Sequence, residues 1–98
     1  MQIILTTVAK KKDAEKLAKL LVVKRIAACV NIIRIEKSVY RWKGKIVSSG
    51  EFLLLIKTAR KYNEVEQFIK KNHPYKLAEI ISIKMQNGSR EYLEWISS

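Results

Sequence analysis

The chain is predicted to fold as an α+β domain of order β-α-β-β-α-β, with a long central hairpin and a short helix after the last strand. Three observations carry this. Apolar residues recur at helical spacing at Ala14, Leu17, Ala18 and Leu21, and again at Tyr62, Val65, Phe68 and Ile69, each set forming one face of a helix. Short apolar runs, Ile3–Leu5, Phe52–Ile56 and Ile80–Ile81, lie before, between and after those helices. The stretch 28–58 between the helices reads as two extended arms around Lys43-Gly44-Lys45, a Gly-bearing hairpin turn.

Gln2 to Val8 reads as the first strand, apolar on both faces and therefore central. Lys10 to about Arg25 reads as the first helix. Asp13 and Glu15 sit in its early turns and Lys24-Arg25 at its end, which suits the helix dipole. Glu15 and Lys19 form an i,i+4 pair. Ala28 to Trp42 is the outgoing arm of the hairpin and Ile46 to Thr58 the return arm. Strands average about 5–6 residues, so both arms are overlong and should overhang a small domain. The outgoing arm changes phase: Ala28, Val30 and Ile32 share one face, Ile33 and Ile35 take the other, and Tyr40 and Trp42 return to the first. Such a flip is the mark of a β-bulge. Gly44 suits either a type I turn with a G1 bulge or a primed two-residue turn.

Lys61 to Asn72 reads as the second helix, stopped by Pro74, which biases His73 towards extended geometry. Glu79 to Met85 reads as the fourth strand. Asn87-Gly88 turns, Ser89 is the expected N-cap, and Tyr92, Leu93 and Ile96 mark the final helix. The order is the split βαβ, or ferredoxin-like, arrangement. Its helices cover one sheet face, yet the strands are apolar on both. A second subunit is the economical cover for the open face, and a stable oligomer is expected.

Length and composition bound the rest. The 98 residues make one domain, residues 1–98. The formal charge is +11. Residues 1–45 carry twelve basic and three acidic side chains, net +9, and residues 46–98 eight and six, net +2. A basic balance raises nucleic acid and membrane as partners, and thermostability as the structural alternative. The single Cys29 excludes an internal disulfide and fits a reducing cytoplasm. No run reaches the roughly 18 apolar residues of a membrane span. An RNA-recognition domain shares the topology but needs aromatics on the central strands, which here hold only Phe52. Weak, salt-sensitive nucleic-acid binding without sequence preference is expected instead. The loop Thr7-Val8-Ala9-Lys10 lacks the Gly-rich, Arg-bearing cradle of an acylphosphatase. One His offers no nucleophilic triad.

The segments Ala27-Ala28-Cys29-Val30-Asn31, Tyr40-Arg41-Trp42-Lys43-Gly44-Lys45, Lys57-Thr58, His73-Pro74-Tyr75, Glu79-Ile80-Ile81 and Tyr92-Leu93-Glu94-Trp95-Ile96, with Glu51, resemble the CutA divalent-cation tolerance family nearly end to end. The resemblance implies a non-enzymatic, ferredoxin-like homotrimer, cytoplasmic in microbes, that binds copper and other divalent metals. It also implies a likeness to PII signalling trimers, which hold small ligands between subunits. Two features depart from the family: Pro is absent near Arg34 and near Ala78, and Lys76 follows Tyr75 where an acid is usual.

The candidate site is a cleft between subunits built from His73, Tyr75, Glu79 and either Trp42 or Lys57. His73 is the metal-ligand candidate; the competing reading is a helix-end residue that caps carbonyls. Cys29 reads as a small buried hydrophobe. Tyr40 and Trp42 either stack on a ligand or pack at a subunit contact. Lys57 either neutralises Glu51 or Glu79 or binds an anion. One His, one Cys and two Met without ligand spacing argue for modest metal affinity, with copper ahead of zinc. A sensor of small anions on the same trimer is the rival reading.

Overall fold

The computed structural model describes all residues, 1–98. The order is β1 (Gln2–Val8), α1 (Lys11–Val23), β2 (Cys29–Trp42), β3 (Lys45–Thr58), α2 (Tyr62–Asn72), β4 (Ile81–Lys84) and α3 (Arg90–Ser97). The four strands form one antiparallel sheet in the order β2-β3-β1-β4. This is the expected β-α-β-β-α-β plan with its C-terminal helix.

The core lies between the sheet and the first two helices. Ile4, Val8, Leu54 and Ile56 point from β1 and β3 into Ala14, Leu17, Ala18 and Leu21 of α1 and Val65 and Ile69 of α2, all buried. Ile4 pairs with Ile56 and Val8 with Phe52, so these positions share one face. The helical spacing thus placed its apolar stripes correctly.

Helix α1 ends earlier than expected. Its last helical residue is Val23, and no basic residue lies in the final turn. Arg25 adopts φ 58°. Its N–H donates to the Val22 carbonyl at 3.0 Å, and that of Ile26 to Leu21 at 2.9 Å, a Schellman closure with arginine where glycine is usual. Glu15 and Lys19 form no ion pair; the pairs present are Arg60–Glu64, Lys70–Glu66 and Arg90–Glu94.

The two hairpin arms are 14 residues each. Trp42 pairs directly with Lys45, and Lys43 and Gly44 both have positive φ, 52° and 76°. This is the primed two-residue turn, one of the two alternatives that Gly44 allowed, with Lys45 already in β3. Lysine is strained in that region, so Lys43→Asn should raise stability by about 0.5–1 kcal/mol, read as a higher thermal midpoint.

The bulge is present but not where simple alternation put it. Ile35 pairs with Glu51 and Ser38 with Ser49, so Glu36 and Lys37 together oppose Gly50. The extra residue puts Tyr40 and Trp42 on the face of Ile33 and Ile35, not on that of Val30 and Ile32. Beyond Phe52, the partner of Val8, the hairpin has no third strand and projects freely. The subunit accordingly measures 45 × 25 × 22 Å.

Strand β4 is shorter than the expected 79–85 and pairs only with Gln2–Leu5. The Tyr62 hydroxyl, which donates to Glu66 Oε1 at 2.9 Å, lies 3.3 Å from the Ile80 carbonyl, and Glu79 falls outside the strand. Ser89 caps α3 as expected, accepting from the Tyr92 N–H at 3.4 Å.

Away from the helices, Ile3, Leu5, Leu53, Leu55, Ile33, Ile35, Ile81 and Ile83 share the open face, as the register requires. Ile33, Ile81 and Ile83 are 44%, 49% and 51% exposed. Nothing within the subunit covers them.

Candidate functional site

Pro74 cannot continue α2, so His73 leaves it extended, with φ −92° and ψ 139°. That turns its ring back across the end of β1. The Tyr75 N–H donates to His73 Nδ1 at 3.0 Å. Nδ1 therefore accepts, and Nε2 carries the hydrogen that reaches the Thr7 carbonyl at 2.8 Å. His73 stitches the helix exit to a strand end, a variant of the capping role considered above.

Tyr75 stands edge-on to the His73 ring, centroids 4.9 Å apart. Its hydroxyl donates to Glu51 Oε2 at 3.3 Å. Burial, then the Glu51 charge, push the Tyr75 phenol up to about 12. Glu51 lies at the bulge, opposite Ile35. The His73–Tyr75–Glu51 node thus sits where the projecting hairpin leaves the body of the sheet, beside the open apolar face.

The raised phenol has a signed consequence. The folded state holds this proton more tightly than the unfolded chain, whose phenols titrate near 10. The contribution to stability is intact below about pH 10 and is lost as pH rises towards about 12. Glu51→Gln should lower the Tyr75 value, while burial, the larger cause, keeps it above the ordinary one. An alkaline absorbance titration of the tyrosinates checks this.

The other sequence candidates scatter. Lys57 meets neither Glu51 nor Glu79: its Nζ donates to the Tyr92 hydroxyl at 3.1 Å and lies 5.4 Å from that ring's centroid. The hydrogen bond to Tyr92 is the main cause that raises its pKa. Tyr92 in turn packs on Trp95 at 5.6 Å. Lys57 lies six positions along β3 from Glu51, roughly 20 Å of strand, so the two mark opposite ends of the open face. Trp42 is half exposed beside the hairpin tip, and Glu79 is exposed. Cys29 is half-buried on the open face, with Sγ 3.9 Å from Asn31 Oδ1, rather than in the core. Of the five candidates, one subunit brings together only His73 and Tyr75. The sequence reading missed Glu51 as their partner. A signal was available, because Glu51 is the only acid between Glu36 and Glu64.

The donor set does not fit a metal centre within one subunit. No group of three His, Cys, Asp or Glu converges, and both His73 ring nitrogens are engaged. A stable site takes three or four ligands.

The whole chain, residues 2–98, matches the family model described as CutA1 divalent ion tolerance protein. The divalent-cation tolerance protein CutA of Thermus thermophilus is 41% identical over 97% of this chain and 93% of its own length. Human protein CutA is 40% identical over 92% of this chain, which spans about half, 51%, of that longer relative. Among solved structures, the PII-like protein CutA from Nostoc sp. PCC 7120 superposes with a TM-score of 0.91 at 35% identity, covering 99% of this chain and 94% of the other. With the sheet order, the hairpin and a full-length match in agreement, the chain belongs to the CutA1 divalent ion tolerance family.

Proposed function

We propose that the protein serves divalent-cation tolerance as a non-enzymatic homotrimer whose working site is a cleft between subunits at the His73–Tyr75–Glu51 node. The observation that carries this is the position of that node. It ties the joint of a projecting hairpin to the rim of an uncovered apolar face, where a neighbouring subunit's hairpin can bring Trp42 or Lys57 alongside. The node's polar groups satisfy one another and leave no activated nucleophile, which supports a binding role. The free Cys29 suits a reducing compartment, and we place the protein in the cytoplasm.

Any metal at His73 competes with the bonds to Thr7 and Tyr75, so affinity is modest, with Cu²⁺ ahead of Zn²⁺. Calorimetric titration with Cu²⁺, with mass checked by light scattering, tests the reading. His73→Ala should stay trimeric and bind Cu²⁺ about tenfold more weakly, the scale of losing one supporting group. Unchanged affinity and stoichiometry would remove His73 as a ligand. The second reading, a sensor of small anions in the same cleft, would then stand ahead. It draws on the engaged state of both His73 nitrogens and on the +11 charge.

A further inference from the structure

We propose that the outer face of α1, with the end of α2, is a docking surface for the phosphate backbone of duplex nucleic acid, adjoining the node through His73. The argument starts from how the charge is deployed. Residues 10–25 carry seven basic and two acidic side chains. Lys12, Lys16 and Lys19 form a single stripe opposite the buried Ala14, Leu17, Ala18 and Leu21, and all three are exposed.

None of these lysines is in an ion pair. The pairs that the molecule does form lie on α3 and on or beside α2, where Glu64, Glu66 and Glu94 are matched with Arg60, Lys70 and Arg90. The stripe extends onto a second element. A groove of about 340 Å³ runs between α1 and the exit of α2, with Lys16 on one wall and Lys71 on the other, and with Asp13 and Asn72 also lining it. Four free ammonium groups on two elements form a field that a phosphate chain neutralises with release of counterions.

The choice of partner follows from what the face lacks. Helix α1 has turned its apolar stripe into the core; its exposed apolar residues, Val22 and Val23, lie in its last turn and make no continuous apolar face to insert into a bilayer. The tryptophans and the tyrosines Tyr40 and Tyr92 belong to the hairpin, the open face and α3. The one aromatic ring that lines the groove is His73, edge-on to Tyr75 with both nitrogens engaged, and a single ring does not stack successive unpaired bases. What remains is recognition of a backbone by charge, without base readout, which suits a duplex.

The test is fluorescence anisotropy of a labelled mixed-sequence duplex of about 20 base pairs, titrated with the full chain from about 50 to 200 mM salt. The logarithm of affinity should fall linearly with the logarithm of salt, at about 0.9 per phosphate neutralised. The triple variant K12Q/K16Q/K71Q should bind at least about tenfold more weakly at the lower salt, with the slope reduced by about 2–3. A control, K37Q/K43Q/K45Q, removes equal charge from the hairpin and should bind as wild type does. Equal losses in both variants would overturn the proposal, since net charge alone would then explain binding. So would a wild type that ignores the duplex but binds anionic phosphatidylserine vesicles.

Discussion

Ile33→Glu should convert the proposed trimer into a folded monomer of 11.4 kDa, read by light scattering on a sizing column. Ile33 sits opposite Leu53 in the hairpin, and its side chain is 44% exposed in the isolated subunit. A carboxylate there reaches water in the monomer and costs the fold little. Across a dry interface the same carboxylate is buried without a partner, a penalty of several kcal/mol for each copy. Threefold symmetry multiplies the penalty. A variant that keeps the trimer mass would show that the open face is not where the subunits meet, and the cleft proposed at the node would lose its basis.

Two threonines on the helix-facing side of the sheet should respond to one substitution with opposite signs. Thr6 is completely buried, and its hydroxyl has no hydrogen-bond partner. Thr6→Val replaces that group with a methyl of nearly the same shape and should stabilise the fold by about 1–2 kcal/mol. Thr58 is equally buried, but its hydroxyl donates to the Ile26 carbonyl at 2.7 Å and accepts the Arg60 N–H at 3.0 Å. Thr58→Val orphans both and should destabilise by about 2–3 kcal/mol. Denaturant midpoints of the two variants, compared at unchanged m-value, check the pair. Matching signs would show that the hydroxyls are not what distinguishes these positions.

Much of the architecture was legible because it rests on periodicity. The stripes of α1 and α2 and the apolar run of β3 report burial by periodicity. The structure buries the α1 stripe, Val65 and Ile69 of α2, and Leu54 and Ile56 of β3, while Leu53 and Leu55 stay half-buried on the open face instead of being buried on both sides. Errors entered where one residue or one long-range bond decides the outcome. Alternation assigned Tyr40 and Trp42 to the side of Val30 and Ile32, because even numbers were counted through the bulge. The end of α1 was set by a left-handed Arg25, which no propensity favours. Strand β4 starts at Ile81, opposite Leu5, a boundary set by pairing across 76 positions of sequence. The site was legible only in part for the same reason. His73 and Tyr75 are neighbours in sequence and meet by necessity. Glu51 reaches them only because β3 lies beside β1, and Lys57 found Tyr92 only once α3 had folded onto its end of the open face.

The two-against-one pairing of Glu36 and Lys37 with Gly50 works as a parity switch on the hairpin. Everything beyond it turns as a block. With the extra residue, the aromatic pair at the tip lies on the side of the open apolar face, the side a neighbour would take in the proposed trimer. Add one residue to β3 opposite the bulge, between Ser49 and Gly50, and the ladder becomes two against two, so Val39 and Arg41 would face that way instead. The core would be untouched, and so would the node and the turn. A chain so altered would fold, yet it would offer its neighbours the wrong side of the same ribbon. In the proposed trimer, recognition between copies would be encoded less by which residues the hairpin carries than by whether its two arms match one for one or two against one at the bulge.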